Sequence, residues 1–171
     1  YRADLEIHGI EIVRAEVNER LSEEELLPIV PTIHGVICGD DRFTRKVFDA
    51  APNLKVIAKW GTGIDSIDLD AACEKGVQVY NTPGAFTAPV ADTVLGYVLA
   101  FARQIPWLNQ DIQEGLWVKR NAISLQEAVL GVIGVGDVGK AVIRRAVGFG
   151  VRVIANDPAA IPGAFVGSTG L

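Results

Sequence analysis

Apolar and polar positions along the chain follow two alternating rhythms. Short runs rich in Val and Ile recur at Ile10 to Val17, Gly35 to Cys38, Leu54 to Trp60, Val77 to Tyr80, Val129 to Val135 and in VRVIAND at 151–157. Each reads as a strand bounded by turn residues. Segments with helical spacing lie between them. Ser22 to Val30 has Ser22 placed as a cap and Glu25 placed to complete a capping box. Thr44 to Ala51 follows, then Asp68 to Lys75, which Gly76 stops. This alternation predicts an α/β fold of parallel sheets with helices on both faces.

The stretch TAPVADTVLGYVLAFARQ, 87–104, breaks the rhythm with one long helix. Thr87 is expected to cap it, and Pro89 sits in the first turn, where a missing N–H does no harm. Val90, Val94, Leu95, Tyr97, Val98, Leu99 and Phe101 make it apolar nearly all round. Such a helix is expected to be buried on more than one side, between two domains or against another subunit. Pro83 and Gly84 form a hinge before it, so the division is placed at 1–86 and 87–171. A helix at Trp107 to Gly115 and a polar KRNAIS stretch lead to the strand at 129.

Composition narrows the classes. A chain of 171 residues with 49% hydrophobic and 22% charged residues suits one domain or two small ones with a real core. A net charge of −5 leaves no basic surplus for nucleic acid. Cys38 and Cys73 lack metal-ligand spacing and the two histidines form no run, so no metal site is expected and both thiols read as buried and reduced. YRADLEIHG carries no signal-peptide pattern, and Val94 to Ala102 is far too short for a bilayer. A soluble cytoplasmic protein, trimmed ahead of Tyr1, is expected.

Two phosphate-binding patterns overlap in GVIGVGDVGK, 131–140. Gly134, Gly139 and Lys140 match most of a P-loop, but the hydroxyl that ligates magnesium is replaced by Ala141, and no acidic Walker-B strand follows. Gly134, Gly136 and Gly139 spell G-x-G-x-x-G, with an apolar strand before, a helix after, and a second strand ending at Asp157. Gly134 would allow the tight turn, Gly136 would let backbone approach a pyrophosphate, and Gly139 would let helix and strand pack closely. Amides around Asp137 and Val138 would face the pyrophosphate at the positive end of the helix. Asp157 would accept both adenosine ribose hydroxyls, and no Arg or Lys follows it to offset a 2′-phosphate, so NAD is favoured over NADP. Upstream, Gly61, Thr62 and Gly63 sit at the carboxyl end of a strand, where backbone N–H groups can form an anion nest for a small carboxylate.

K-x-G-T-G-I-D-S-I-D, E-K-G-V-x-V-x-N-T-P-G, V-A-D-T, A-R-Q-I-P, G-V-I-G-V-G-D-V-G and N-D-P, in that order from about Gly35 to Pro158, resemble the D-isomer-specific 2-hydroxyacid dehydrogenases, in particular the phosphoglycerate dehydrogenase-like branch. The resemblance implies a flavodoxin-like substrate domain followed by the first part of a Rossmann NAD-binding domain, and a homodimer through the 87–104 helix region. It implies that Thr62 contacts the cofactor, that the Gly61 to Gly63 backbone holds the substrate carboxylate, that Asp137 and Val138 cover the pyrophosphate, and that Asp157 holds the ribose. The family moves a hydride between nicotinamide and C2 of a small 2-hydroxy acid, using an Arg for the carboxylate and a His–Glu pair for the hydroxyl proton. These three lie beyond the second nucleotide-domain strand in the family. None is assigned here, and neither His8 nor His34 falls in a matching motif. A front portion of a longer enzyme is expected.

Substrate identity rests on CGDDRF, 38–43. Phosphoglycerate-specific relatives carry an Arg-Ser pair there, whereas this chain has Asp40 and Asp41, costly beside a phosphate unless Arg42 swings inward. 3-Phosphoglycerate is therefore one candidate among several small acids. The alternative class is an NADH-sensing binding protein like the C-terminal-binding-protein corepressors, built on the same fold.

Overall fold

Three parallel strands organise the first half of the chain in the computed structural model, which describes residues 2–171, with side chains from Leu5 onward. Helices α1 (Arg2–Ile7) and α2 (Glu23–Leu26) precede β1 (Gly35–Cys38). Then come α3 (Arg45–Asp49), β2 (Val56–Lys59), α4 (Leu69–Glu74) and β3 (Gln78–Tyr80). The order is β1-β2-β3, with Val36 opposite Ile57, Cys38 opposite Lys59, and Ile57 opposite Val79. Side chains alternate across a strand, so these residues share the face that packs on Phe43, Val47, Phe48, Ala71 and Ala72. Ile37 and Tyr80, on the opposite face, are 75% and 57% exposed. Among the described residues of this unit, helix cover is thus found on one face where two were expected.

The helix-start signals at Ser22 and Asp68 act as read, although the first of these helices ends at Leu26, short of the expected Val30. Glu25 N–H donates to Ser22 Oγ at 3.3 Å while Ser22 N–H donates to the Glu25 carboxylate at 2.8 Å, closing the capping box. Asp68 accepts from Ala71 N–H at 2.9 Å, and Gly76 ends that helix at φ +68°. Ile10 to Val17 does not form the expected strand. Ile12 and Val13 are consecutive apolar residues, which breaks strict alternation, and with Ile10 and Val17 they lie exposed, with no ladder partner among the described residues. Cys38 is buried as expected, but Cys73 is exposed on α4.

A second unit begins at Gly84, immediately after the first ends at Pro83. It contains α5 (Thr87–Ala102), α6 (Ile105–Gln113), β4 (Val129–Ile133), α7 (Asp137–Val147), β5 (Arg152–Asn156) and α8 (Gly163–Thr169). β4 and β5 pair in parallel from Val129↔Arg152 to Ile133↔Asn156. The core joins Ala91 and Leu95 of α5, Ile143 and Ala146 of α7, and Val153 of β5. Arg145 of α7 also donates to Asp92 of α5 at 2.6 Å. Phe86, not Thr87, is the cap residue of α5, and Thr87 lies inside the helix. Tyr97 and Phe101 are 73% and 70% exposed, so within this chain α5 buries one side only. The sequence reading missed α8, whose two internal glycines lower helix propensity. Its Phe165 is buried beneath the Arg144 guanidinium, 5.4 Å from the ring centroid. Among the described residues no helix is long and apolar enough to cross a membrane, and no acid, His or Cys cluster could hold a metal.

Candidate functional site

The glycine loop after β4 is shaped by one close approach. A Cβ built on Gly139 would lie 2.1 Å from the Gly134 carbonyl oxygen, so the first turn of α7 passes the strand end at a distance only glycine permits. Gly134 turns the chain at φ +91°, and its N–H extends the ladder to the Asn156 carbonyl at 2.8 Å. Gly136 is the N-cap residue of α7 in an extended conformation, and a Cβ there would meet nothing within 4 Å. The N–H groups of Asp137 and Val138, in the first turn of α7, have no partner within the helix. Amides at a helix N-terminus beside empty space suit an oxyanion such as a pyrophosphate.

Asp157 comes directly to this loop. One carboxylate oxygen accepts from Val135 N–H at 2.5 Å and the other from Ala159 N–H at 2.8 Å. These two backbone bonds hold its pKa below the usual carboxylate range, with burial opposing and the Lys140 charge adding a little. Each oxygen keeps a free lone pair, enough to accept two hydroxyls. The carboxylate thus braces the loop and still presents acceptors outward, a donor and acceptor set that fits a dinucleotide carrying an unphosphorylated ribose.

In the first unit, Gly61 to Gly63 follow β2 at its carboxyl end. Gly61 N–H donates to Thr82 Oγ1 at 3.1 Å and Thr62 Oγ1 donates to the Thr82 carbonyl at 3.2 Å. Asn81 Nδ2 donates to the Thr62 carbonyl at 2.7 Å. Lys59, only 3% exposed, lies beneath, where a Cβ on Gly61 would sit 3.1 Å from its Cε. Its ammonium donates to the Gly39 carbonyl at 2.6 Å and pairs with Asp40. That pairing lowers the Asp40 pKa. Asp41, also buried, accepts from Leu21 N–H at 2.6 Å and Gly39 N–H at 2.9 Å. Burial, with Asp41 and Asp40 nearby, pushes the Cys38 thiol up to about 11, so it stays protonated at neutral pH.

Sequence reasoning missed Lys59, Asn81 and Thr82. The signal was present: K-x-G-T-G and N-T-P-G follow strands that pair Ala58 with Tyr80, and that register brings Gly61 beside Thr82. The glycine loop and Asp157 belong to the second unit, and the Gly61 to Gly63 turn to the first.

A parallel α/β chain with a glycine turn, a helix N-terminus and an acid at the next strand end defines the dinucleotide-binding class. The family model for the catalytic domain of D-isomer specific 2-hydroxyacid dehydrogenases matches residues 4–166, and the chain belongs to that family. It is 40% identical over 145 residues to a hydroxypyruvate reductase of Thermotoga maritima, covering 83% of this chain and 47% of that protein. It is 39% identical over 151 residues to a D-3-phosphoglycerate dehydrogenase of Methanocaldococcus jannaschii, covering 86% of this chain and 29% of that protein. The crystal structure of the TT0316 protein from Thermus thermophilus superposes with a TM-score of 0.81 at 35% identity, over 94% of this chain and 53% of that one. The chain thus spans less than two thirds of the relatives it matches.

The last two glycines of the loop should separate experimentally. Gly139→Ala is expected to cost about 1–3 kcal/mol of stability, because strand and helix must move apart. Gly136→Ala is expected to change stability by no more than roughly 0.5 kcal/mol, yet to weaken ADP-ribose binding by filling phosphate space. Urea melts followed by circular dichroism, paired with calorimetric titration of ADP-ribose, measure both. Equal stability loss in the two variants would contradict this geometry.

Proposed function

We propose that the protein is an NAD-dependent oxidoreductase acting on a small D-2-hydroxy acid, and that residues 1–171 carry its cofactor and carboxylate recognition. The observation that carries the reading is the Asp157 carboxylate bonded to Val135 N–H beside the open N-terminus of α7. In this reading the Asp137 and Val138 amides take the pyrophosphate, and Gly134, Gly136 and Gly139 make room for it. Asp157 accepts the 2′- and 3′-hydroxyls of the adenosine ribose. Thr62 contacts the cofactor, and the Gly61 to Gly63 backbone receives the substrate carboxylate. Bound NAD supplies the hydride acceptor; the residues named here bind and orient. No acid–base residue is assigned within 1–171.

The pH behaviour follows from Asp157. Its folded pKa is depressed, so its contribution is complete above the ordinary carboxylate value and is lost as pH falls through the depressed one. NADH affinity is expected to be level from about pH 5 to 8 and at least ~10-fold stronger than NADPH affinity, since a 2′-phosphate would face a carboxylate. Fluorescence titration with both coenzymes checks this; equal affinities would overturn the ribose assignment.

The ends of β1 and β2 favour an unphosphorylated acid. The Lys59 charge is matched by Asp40, Asp41 spends both oxygens on backbone, and Arg42 is exposed. Lys59 and Arg42 are equalled in number by Asp40 and Asp41, so these four groups offer a phosphate dianion no net positive charge. D-Lactate and glycerate are therefore expected to be oxidised in preference to 3-phosphoglycerate in a kinetic panel with NAD. A strong preference for the phosphorylated acid would reverse the assignment.

A second copy is proposed to cover the open side of α5 and α6, where Tyr97, Phe101 and Ile105 are exposed, together with Trp117 at 87% exposure. Sedimentation at micromolar concentration should show a dimer, and Phe101→Glu should shift it to monomer.

A further inference from the structure

The carbonyls of Gly61 and Thr62 have fixed partners, and those partners determine where the next amides of the turn point. The peptide joining Gly61 to Thr62 has its carbonyl held by Thr82 N–H at 3.0 Å. The next peptide, joining Thr62 to Gly63, has its carbonyl held by Asn81 Nδ2 at 2.7 Å. In a trans peptide, C=O and N–H point in opposite directions. Both carbonyls reach the same short segment after β3, so the N–H groups of Thr62 and Gly63 are turned away from it, toward a common side. Two successive amides with that orientation form an anion nest.

Gly61 is excluded from the nest. Its N–H already donates to Thr82 Oγ1 at 3.1 Å and to the Lys59 carbonyl at 3.0 Å. Among the described residues, no protein acceptor takes the N–H of Thr62 or Gly63. Asp65 lies on the Gly63 side, its carboxylate 3.5 Å from where a Gly63 Cβ would be, which biases an anion toward Thr62. Lys59 limits the turn from below, so it has little freedom to rotate a peptide.

We propose that Asn81 is a positioning residue: its side-chain amide fixes the Thr62–Gly63 peptide plane, so that the Thr62 and Gly63 amides, rather than that of Gly61, bind the substrate carboxylate. Thr82 completes the device by occupying Gly61. A free Thr62 carbonyl could turn toward the ligand and present a negative dipole to a negative group. The inference rests on the reading of this turn as the carboxylate site and adds to it the side chain that sets the orientation of its amides.

Oxalate, a planar dicarboxylate, is a suitable probe in an amide-resolved NMR titration of the full chain. Thr62 and Gly63 resonances should shift with oxalate, and Gly61 should shift far less. Asn81→Leu keeps the volume without the donor and should weaken oxalate roughly five- to tenfold, with amide exchange in β2 unchanged. Asn81→Ser, shorter and still polar, provides a second reading should the leucine variant not fold. Thr82→Ser should retain wild-type affinity, whereas Thr82→Val should release Gly61 N–H to exchange. Wild-type shifts at Thr62 and Gly63 with unchanged affinity in the Asn81 variants would overturn the proposal alone. Absence of oxalate shifts anywhere in the turn would overturn it together with the carboxylate-site reading.

Discussion

Helix α7 and strand β4 meet where the carbonyl of Gly134 faces the missing side chain of Gly139, with 2.1 Å left for a Cβ. Much of the second unit depends on that contact. It brings the helix N-terminus, with the amides of Asp137 and Val138 in its first turn, against the strand end. It also sets the bend from which Val135 N–H reaches across to Asp157. The same packing seats Ala141, Val142 and Ala146 in the core with Ala91 and Leu95 of α5. A site built from backbone groups of this kind is as rigid as the core beneath it.

The two units solve a similar problem with different parts. In the second, a helix supplies the amides and a carboxylate from the neighbouring strand braces the turn. In the first, the turn after β2 is held by residues after β3, with a buried ammonium beneath it. Both devices sit at the carboxyl ends of parallel strands, where carbonyls and amides outrun the ladder and need other partners. Side chains meet this need at both turns: Asp157 bonds the backbone of one and Asn81 that of the other.

Much of this was legible in the sequence, and the failures have physical causes. Ser22 with Glu25, and Asp68 with Gly76, mark helix ends because caps are local chemistry. The glycine pattern was readable because Gly134 supplies a positive φ and Gly139 permits a close approach that a side chain would block. Ile10 to Val17 misled because β-like composition does not provide an edge to pair with. Thr87 misled because a hydroxyl next to a helix start fits the cap and first-turn positions equally well in sequence. Cys73 faces solvent on a short helix whose inward face belongs to Ala71 and Ala72. Asn81 and Thr82 were passed over because their partners lie about twenty residues away and become visible only through the β2–β3 register.

The bonds made by Asp157 carry a consequence for how coenzyme choice could change in such a protein. The carboxylate that would discriminate between the two nicotinamide coenzymes is also a strut of the bend that would hold their shared diphosphate. Replacing it to admit the phosphorylated coenzyme would remove the strut as well as the repulsion. A lineage or an engineer seeking that switch would need to rebuild the turn at Val135 in the same step, so a preference set by this carboxylate would be hard to lose by single substitution.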